Sequence, residues 1–128
     1  MKPARKPNCT NVRTILCIGF MIALGGCSIG GERIEDHPCP PGGTQWTYEN
    51  FGASFMARHC ETCHARSAEV RDGAPSNVTF DTRDDVLRWR ERIFDNAAAD
   101  NTSMPPGPDD PPRAERDALA DWLACGAP

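Results

Sequence analysis

The chain has 128 residues, with 18 acidic and 14 basic side chains, a net charge of −4 and seven cysteines. This acidic balance argues against a nucleic-acid partner, because binding to phosphates needs a basic surface. The first segment, residues 1–13, is basic and is followed by the apolar run Ile15 to Leu24. A run this short is typical of the core of a secretion signal and is too short for a transmembrane helix.

The apolar run ends in the sequence LGGC, which resembles the bacterial lipobox, where the cysteine receives a lipid and becomes the new N-terminus. We therefore predict a lipoprotein signal peptide over residues 1–26, lipidation of Cys27, and an exported, periplasm-facing protein anchored in the membrane by this lipid. Ser28 favours the outer membrane of a Gram-negative bacterium. The alternative is an ordinary signal peptide that leaves Cys27 as a free thiol.

Removal of this leader would make the remaining chain more acidic. The leader takes four basic residues with it, so that 10 basic and 18 acidic residues remain and the net charge becomes −8. The remaining basic residues are all arginines. Such a surface favours a partner protein with a basic docking patch.

Residues 27–46 are rich in glycine, proline and acidic residues and show no apolar periodicity. This composition predicts a lipid-anchored tether that leads to a folded domain over residues 47–128. About 100 residues after the leader form one small domain with a limited core, which a bound cofactor could enlarge.

Three helices joined by loops are predicted in this domain, and no strand-like alternation is convincing. Thr47 is a good N-cap for the first helix, and Asp81 or Thr82 for the second. The third helix has Pro112 near its start and Gly126 as its expected C-cap. The predicted fold class is therefore all-α.

The segment HCETCHA places two cysteines and a histidine within five positions. The pattern C-x-x-C-H indicates covalent haem attachment, in which Cys60 and Cys63 each bond one vinyl group and His64 binds the iron. A zinc knuckle and a redox dithiol are the alternatives. Zinc needs a second ligand pair, for which the chain offers only the weak candidates His37 and Cys39. A dithiol of the thioredoxin type needs a βαβ pattern, which the sequence does not show.

A second iron ligand must come from elsewhere in the chain, and a methionine in this position raises the reduction potential. Met104 lies 40 residues after His64 and precedes two prolines that stiffen its loop. The alternative role for Met104 is a simple core contact. Met56, on the apolar face of the first helix, is expected to pack against the haem ring.

The chain resembles class I c-type cytochromes over about Thr47 to Gly126. The resemblance rests on FGASFMARHCETCH, on MPP at Met104, and on the closing ERDALADWLA. It implies a small cytochrome c-like fold of about three core helices around one covalent haem c. In that family a glycine at the position of Gly52 lets the first helix cross the last, and an aromatic such as Trp122 packs there. A proline carbonyl that often orients the axial histidine has no counterpart directly after the motif.

Cys9 and Cys17 lie in the predicted signal peptide, and of the other five cysteines only Cys39 and Cys125 are not accounted for by the haem or the lipid. In an oxidising compartment such a pair predicts a disulfide, with two separate free thiols as the alternative.

These features predict an electron carrier rather than an enzyme, because His64 and Met104 together leave no iron position for a substrate. Its partners would be a redox donor and a redox acceptor. The alternatives are a peroxidase or gas sensor with a labile Met104, and a haem subunit of a larger oxidoreductase. The sequence shows no distal histidine or arginine beside a pocket for peroxide chemistry. The arginines 88, 90 and 92 are interpreted as the solvated face of the second predicted helix, with contact to a haem propionate as the alternative.

Overall fold

The computed structural model describes residues 31–108 and 110–128, so the predicted signal peptide and Cys27 lie outside the described residues. The described part of the chain forms helices and loops and no strand. Its elements are a 3₁₀ turn Ile34–Asp36, a π-helical turn Tyr48–Gly52, and the helices α1 Ala53–His59, α2 Glu61–His64, α3 Arg83–Ala97 and α4 Arg113–Ala124. None of these helices is long and apolar enough to cross a bilayer. The all-α prediction is confirmed, and the short α2 adds a helix to the three expected.

Side-chain caps start the π-helical turn before α1 and the helix α3, at positions that the sequence predicts. Thr47 Oγ1 accepts a hydrogen bond from the backbone N–H of Asn50 at 3.2 Å, and Asn50 Oδ1 accepts one from the backbone N–H of Thr47 at 2.8 Å. This reciprocal pair is a capping box. Thr82 Oγ1 accepts from the backbone N–H of Asp85 at 3.2 Å at the start of α3. After α4, Gly126 has φ +89°, a left-handed conformation that costs glycine little.

The π-helical turn that leads into α1 crosses α4 at Gly52 and Trp122. A Cβ atom on Gly52 would lie 2.4 Å from Cζ2 and Cη2 of the indole, so only glycine allows this approach. Phe51 packs edge-on against the same indole, with ring centroids 6.0 Å apart. The close crossing that the family resemblance implied is confirmed. Because the C-x-x-C-H motif follows α1 directly, this crossing also sets the position of the motif relative to α4.

Residues 31–46, which we call the N-terminal strap, lie against the helices rather than extending from them. Ile34 is 9% exposed and belongs to the hydrophobic core. Trp46 packs on Phe51, with ring centroids 5.2 Å apart. The composition predicted a tether over this stretch, and the structure differs because two apolar side chains among the polar residues anchor the strap to the core.

Two further links join the strap to the region of α4. The sulfur atoms of Cys39 and Cys125 are bonded in the structure, with the Cα atoms 4.8 Å apart and a separation of 86 positions in the sequence. Closing so long a loop contributes about 4–5 kcal/mol by the chain-entropy argument. Beside this bond, His37 lies between two carboxylates, with Nδ1 2.9 Å from Glu32 Oε1 and Nε2 3.0 Å from Asp121 Oδ1.

The His37 link should make the stability of the domain depend on pH. Burial opposes the charge on His37, but hydrogen bonds to Asp121 and Glu32 outweigh it and raise the pKa above its ordinary value of 6.5. A group whose pKa is raised by folding stabilises fully below its unfolded pKa, and this contribution disappears as pH rises through the folded pKa. His37→Gln should therefore cost up to about 1 kcal/mol at about pH 6 and less at about pH 9.

Urea unfolding at the two pH values measures this difference. Arg33→Gln is the matched control, because Arg33 pairs with Glu35 on the same strap but both side chains are more than half exposed. That variant should change stability little at either pH. An equal loss for His37→Gln at both pH values would contradict the assigned role of His37.

Candidate functional site

A cavity of ≈ 730 Å³ opens between α1, α2, α3 and the proline-rich loop before α4. Cys60, Cys63, His64 and Met104, the four residues predicted to bind a cofactor, all line it. The apolar part of the lining is formed by Ala74, Pro75, Val78, Phe80, Trp89, Ile93, Ala97, Pro105, Pro106 and Pro108. A largely apolar cavity of this size suits a cofactor-sized ligand held by a few polar or metal-binding groups.

His64, at the end of α2, is oriented by the chain that passes beside it. Its Nδ1 lies 3.0 Å from the carbonyl oxygen of Val78, and its ring stacks on Phe80 with centroids 4.6 Å apart and planes at 25°. The backbone N–H of Phe80 also donates to the carbonyl of His64 at 2.9 Å. Because a carbonyl oxygen can only accept, Nδ1 carries the proton and Nε2 keeps its lone pair for a metal. Val78 thus takes the place of the proline carbonyl that the sequence lacks after the motif.

The irregular segment between α2 and α3 is fixed at both ends by Arg66. Its backbone N–H donates to both carboxylate oxygens of Asp81 at 3.0 and 3.1 Å, and its guanidinium donates to Asp85 at 2.7 and 2.6 Å. A hydrogen bond from Thr82 and the charge of Arg66 lower the pKa of Asp85, so its carboxylate stays charged. These links close the segment into a loop that carries Val78 to His64.

The two thiols of the motif are free in the structure, and Cys60 packs against the core. Burial raises the pKa of the Cys60 thiol to about 12, and the charge of Glu61 adds to this effect. Dithiol oxidoreductases need a lowered thiol pKa and a βαβ frame. The pKa of Cys60 is shifted in the opposite direction, and the described part of the chain contains no strand. The described residues also contain no group of three or more His, Cys, Asp or Glu side chains that could hold a zinc ion.

The loop that carries Met104 is fastened to the end of α3 by Asn96. The backbone N–H of Met104 donates to the carbonyl of Asn96 at 2.9 Å, and Ser103 Oγ donates to Asn96 Oδ1 at 2.9 Å. The Met104 side chain is 44% exposed although it lines an apolar cavity, so it has free surface for a cofactor in that cavity. Sequence reasoning missed Asn96, because this residue lies in a helix whose pattern identifies only the buried face.

The family model for cytochrome C oxidase, cbb3-type, subunit III matches residues 50–123, more than half of the chain. The chain belongs to this family of c-type cytochromes. No curated protein and no solved structure matches it. Membership identifies the cofactor as haem c and the chemistry as haem-based electron transfer. The matched range includes the motif, the cavity and the crossing of Gly52 with Trp122, and it excludes the N-terminal strap.

The residues around the cavity of this cytochrome fit a haem c. Two free thiols, separated by two residues in the sequence, lie on its wall, an imidazole with an available Nε2 follows them, and an exposed thioether lies on the proline-rich loop. These are the donor types that hold c-type haem in proteins.

Met56 occupies a different place in the cytochrome from the one expected. The sequence suggested that it would pack against the haem, but it is fully buried in the core and does not line the cavity. It follows Phe55, which is also fully buried, so the apolar face of α1 is directed into the helical core instead. Of the two methionines that the structure describes, Met104 is therefore the one that lines the cavity.

The cavity wall also carries basic side chains that sequence reasoning did not predict there. Arg58, His59 and Arg92 line it, although no distal histidine or arginine was expected. Arg58 and His59 both contact the same oxygen of Glu115, at 3.2 and 3.1 Å. Arg92 lies over the ring of Trp89 at 5.8 Å, so this residue belongs to the cavity rather than to a purely solvated helix face.

Proposed function

We propose that this cytochrome is an exported electron carrier with one haem c bound through thioethers to Cys60 and Cys63. His64 and Met104 are the axial ligands in this proposal. The observation that carries it is the shared cavity: all four side chains line one apolar space, and the Val78 carbonyl leaves His64 Nε2 as the metal-binding nitrogen. The haem supplies the exchange of one electron between the ferric and ferrous states of its iron.

The protein groups around the cavity favour a carrier over an enzyme. Two axial side chains leave no iron position for peroxide or a gas. His59 and Arg58, which could otherwise assist peroxide chemistry, are hydrogen-bonded to Glu115. The roles of the chain are then to orient His64, to hold the Met104 loop against α3 through Asn96, and to exclude water with its apolar lining.

Optical spectra of the protein purified from cells that mature c-type cytochromes test this proposal. The reduced protein should show the absorption bands of haem c with one haem per chain, and acid–acetone extraction should leave the colour on the polypeptide. A colourless precipitate with haem in the acetone would contradict covalent attachment.

The proposal includes an oxidised Cys39–Cys125 pair in the exported protein, supported by the bonded sulfur atoms of the structure. Alkylation of the denatured, unreduced protein should label neither residue, because both sulfurs are in the bond. The same treatment after reduction should label both and serves as the control. Labelling of both cysteines without reductant would refute the pairing.

We also propose that Cys27 carries the lipid anchor and that the protein faces the periplasm, in the outer membrane of a Gram-negative bacterium. Membrane fractionation should find the wild type with the outer membrane, and Cys27→Ala in the soluble or unprocessed fraction. Cys9→Ala, which removes a leader cysteine outside the lipobox, is the matched control and should behave as the wild type. A soluble wild-type protein would exclude the anchor.

Partners with a basic docking patch are proposed from the acidic surface of the chain. Among the described residues, the charged members of the cavity lining are the arginines 58, 71 and 92 and a single acid, Asp72. The other acidic side chains of the described residues lie outside this lining. Their attraction to a basic partner would therefore act over distance and orient the encounter, rather than form the contact at the cavity.

A second candidate function is a haem subunit of a larger oxidoreductase, and the family match favours it because that family is described as an oxidase subunit. Native electrophoresis of mildly solubilised membranes, stained for haem, separates the two possibilities. A free carrier should migrate near the mass of a single chain, whereas a subunit should migrate with a much larger complex.

A further inference from the structure

Arg71 lies in the loop between α2 and α3, where its guanidinium donates hydrogen bonds to four backbone carbonyl oxygens. Its Nη1 donates to Ala65 at 2.6 Å, its Nε to Ala74 at 3.2 Å, and its Nη2 to Pro75 at 2.9 Å and to Val78 at 3.0 Å. The loop has no regular secondary structure, so these charge-assisted hydrogen bonds satisfy carbonyl groups that backbone N–H groups would satisfy in a helix or a sheet.

One of these acceptors is also the partner of the proposed axial histidine. The Val78 oxygen lies 3.0 Å from Arg71 Nη2 and 3.0 Å from His64 Nδ1. A carbonyl oxygen has two lone pairs, so it can accept from both donors at once. The positive charge of Arg71 is therefore linked to the Nδ1–H group of His64 through the oxygen atom that both donors share.

We propose that Arg71 is a positioning residue that sets both the orientation and the electron donation of His64 through the shared Val78 carbonyl. This inference rests on the proposed function, in which His64 Nε2 binds the haem iron. A carbonyl acceptor on Nδ1–H holds the ring in place and increases the basicity of the ligand. Arg71 fixes that carbonyl and draws part of its electron density away, which moderates the effect. A less basic histidine and a nearby cation both favour the reduced iron.

Arginine is required for this arrangement because its planar fork reaches several carbonyls at once, whereas the single ammonium of lysine keeps the charge but cannot reproduce the fork. Arg71→Gln therefore removes the charge and most of the bonds, and Arg71→Lys removes mainly the geometry. Arg92→Gln is the matched control, because it removes an equal charge from the wall of the same cavity and Arg92 contacts Trp89 rather than the loop carbonyls.

Two measurements on the haem-loaded, full-length protein test the proposal. Solvent exchange of the His64 Nδ1 proton, followed by NMR in the reduced state, should be at least about tenfold faster in Arg71→Gln than in the wild type. It should be unchanged in Arg92→Gln. The reduction potential should fall more in Arg71→Gln than in Arg92→Gln, and Arg71→Lys should lie between the wild type and Arg71→Gln in both measurements.

Equal exchange rates and equal potentials in Arg71→Gln and Arg92→Gln would overturn the proposal, since Arg71 would then act only as a charge in the cavity wall. If Arg71→Gln yields too little folded protein, Arg71→Lys decides: a wild-type exchange rate there also overturns the proposal. Failure of the proposed function has a different signature, because the wild type itself would then lack a covalently bound haem.

Discussion

Replacing both Cys60 and Cys63 with alanine should leave a colourless and largely unfolded protein. The cavity of ≈ 730 Å³ is walled by residues from three helices and two loops, and its lining is mostly apolar. Without a covalently held haem, that lining would face water and the core would lose its largest apolar component. The free energy of unfolding of a small domain is only about 5–15 kcal/mol, so the loss of the apolar contacts with the haem is enough to unfold it.

Far-UV circular dichroism and haem staining of purified protein measure the two effects of this double substitution. The Cys39→Ala/Cys125→Ala double variant is the matched control, because it also removes two cysteines but leaves the motif intact. It should be less stable and still coloured. A Cys60→Ala/Cys63→Ala protein that retains full helix content without haem would show that the helical core folds independently of the cofactor.

Met104→Ala should lower the reduction potential and open the iron to carbon monoxide. A methionine ligand favours the reduced state, so its loss should lower the potential by on the order of 0.1 V, part of the ≈ 0.8 V range that axial ligands control. The weak long-wavelength charge-transfer band that marks an iron–methionine bond in oxidised c-type cytochromes should disappear. Carbon monoxide should bind the reduced variant and not the reduced wild type.

Met56→Leu is the control for this prediction, because Met56 is fully buried and does not line the cavity. The band and the potential should stay nearly unchanged in that variant. Rapid binding of carbon monoxide to the reduced wild type would instead indicate an open or easily opened iron. The peroxidase-or-sensor alternative would then replace the simple carrier.

The parts of the fold that sequence predicts well depend on local chemistry. Thr47 and Thr82 cap helices because their hydroxyl groups satisfy N–H groups within three residues. Gly126 ends α4 because it tolerates a left-handed backbone. The contact of Gly52 with Trp122 is a long-range feature, and it was predictable only because the chain resembles a family in which this crossing recurs.

The parts that sequence did not predict depend on contacts between distant residues in irregular segments. The loop with Arg71 and Val78 has no apolar period, and its order comes from a guanidinium that bonds four carbonyls. The strap looks like a linker by composition, yet His37 reaches Asp121, 84 residues away. A polar composition predicts that a segment is exposed to solvent on average, but a few hydrogen bonds to distant residues are enough to hold it against the domain.

The attachment of the strap limits how far the haem domain could travel from a membrane. Ile34 is already part of the core, and it lies seven positions after Cys27 in the sequence. Even a fully extended chain of that length spans at most about 25 Å. If Cys27 holds the lipid, the cytochrome domain would stay close to the bilayer and diffuse laterally along it. It would then meet its redox partners by diffusion in two dimensions, either embedded in the same membrane or bound at its surface.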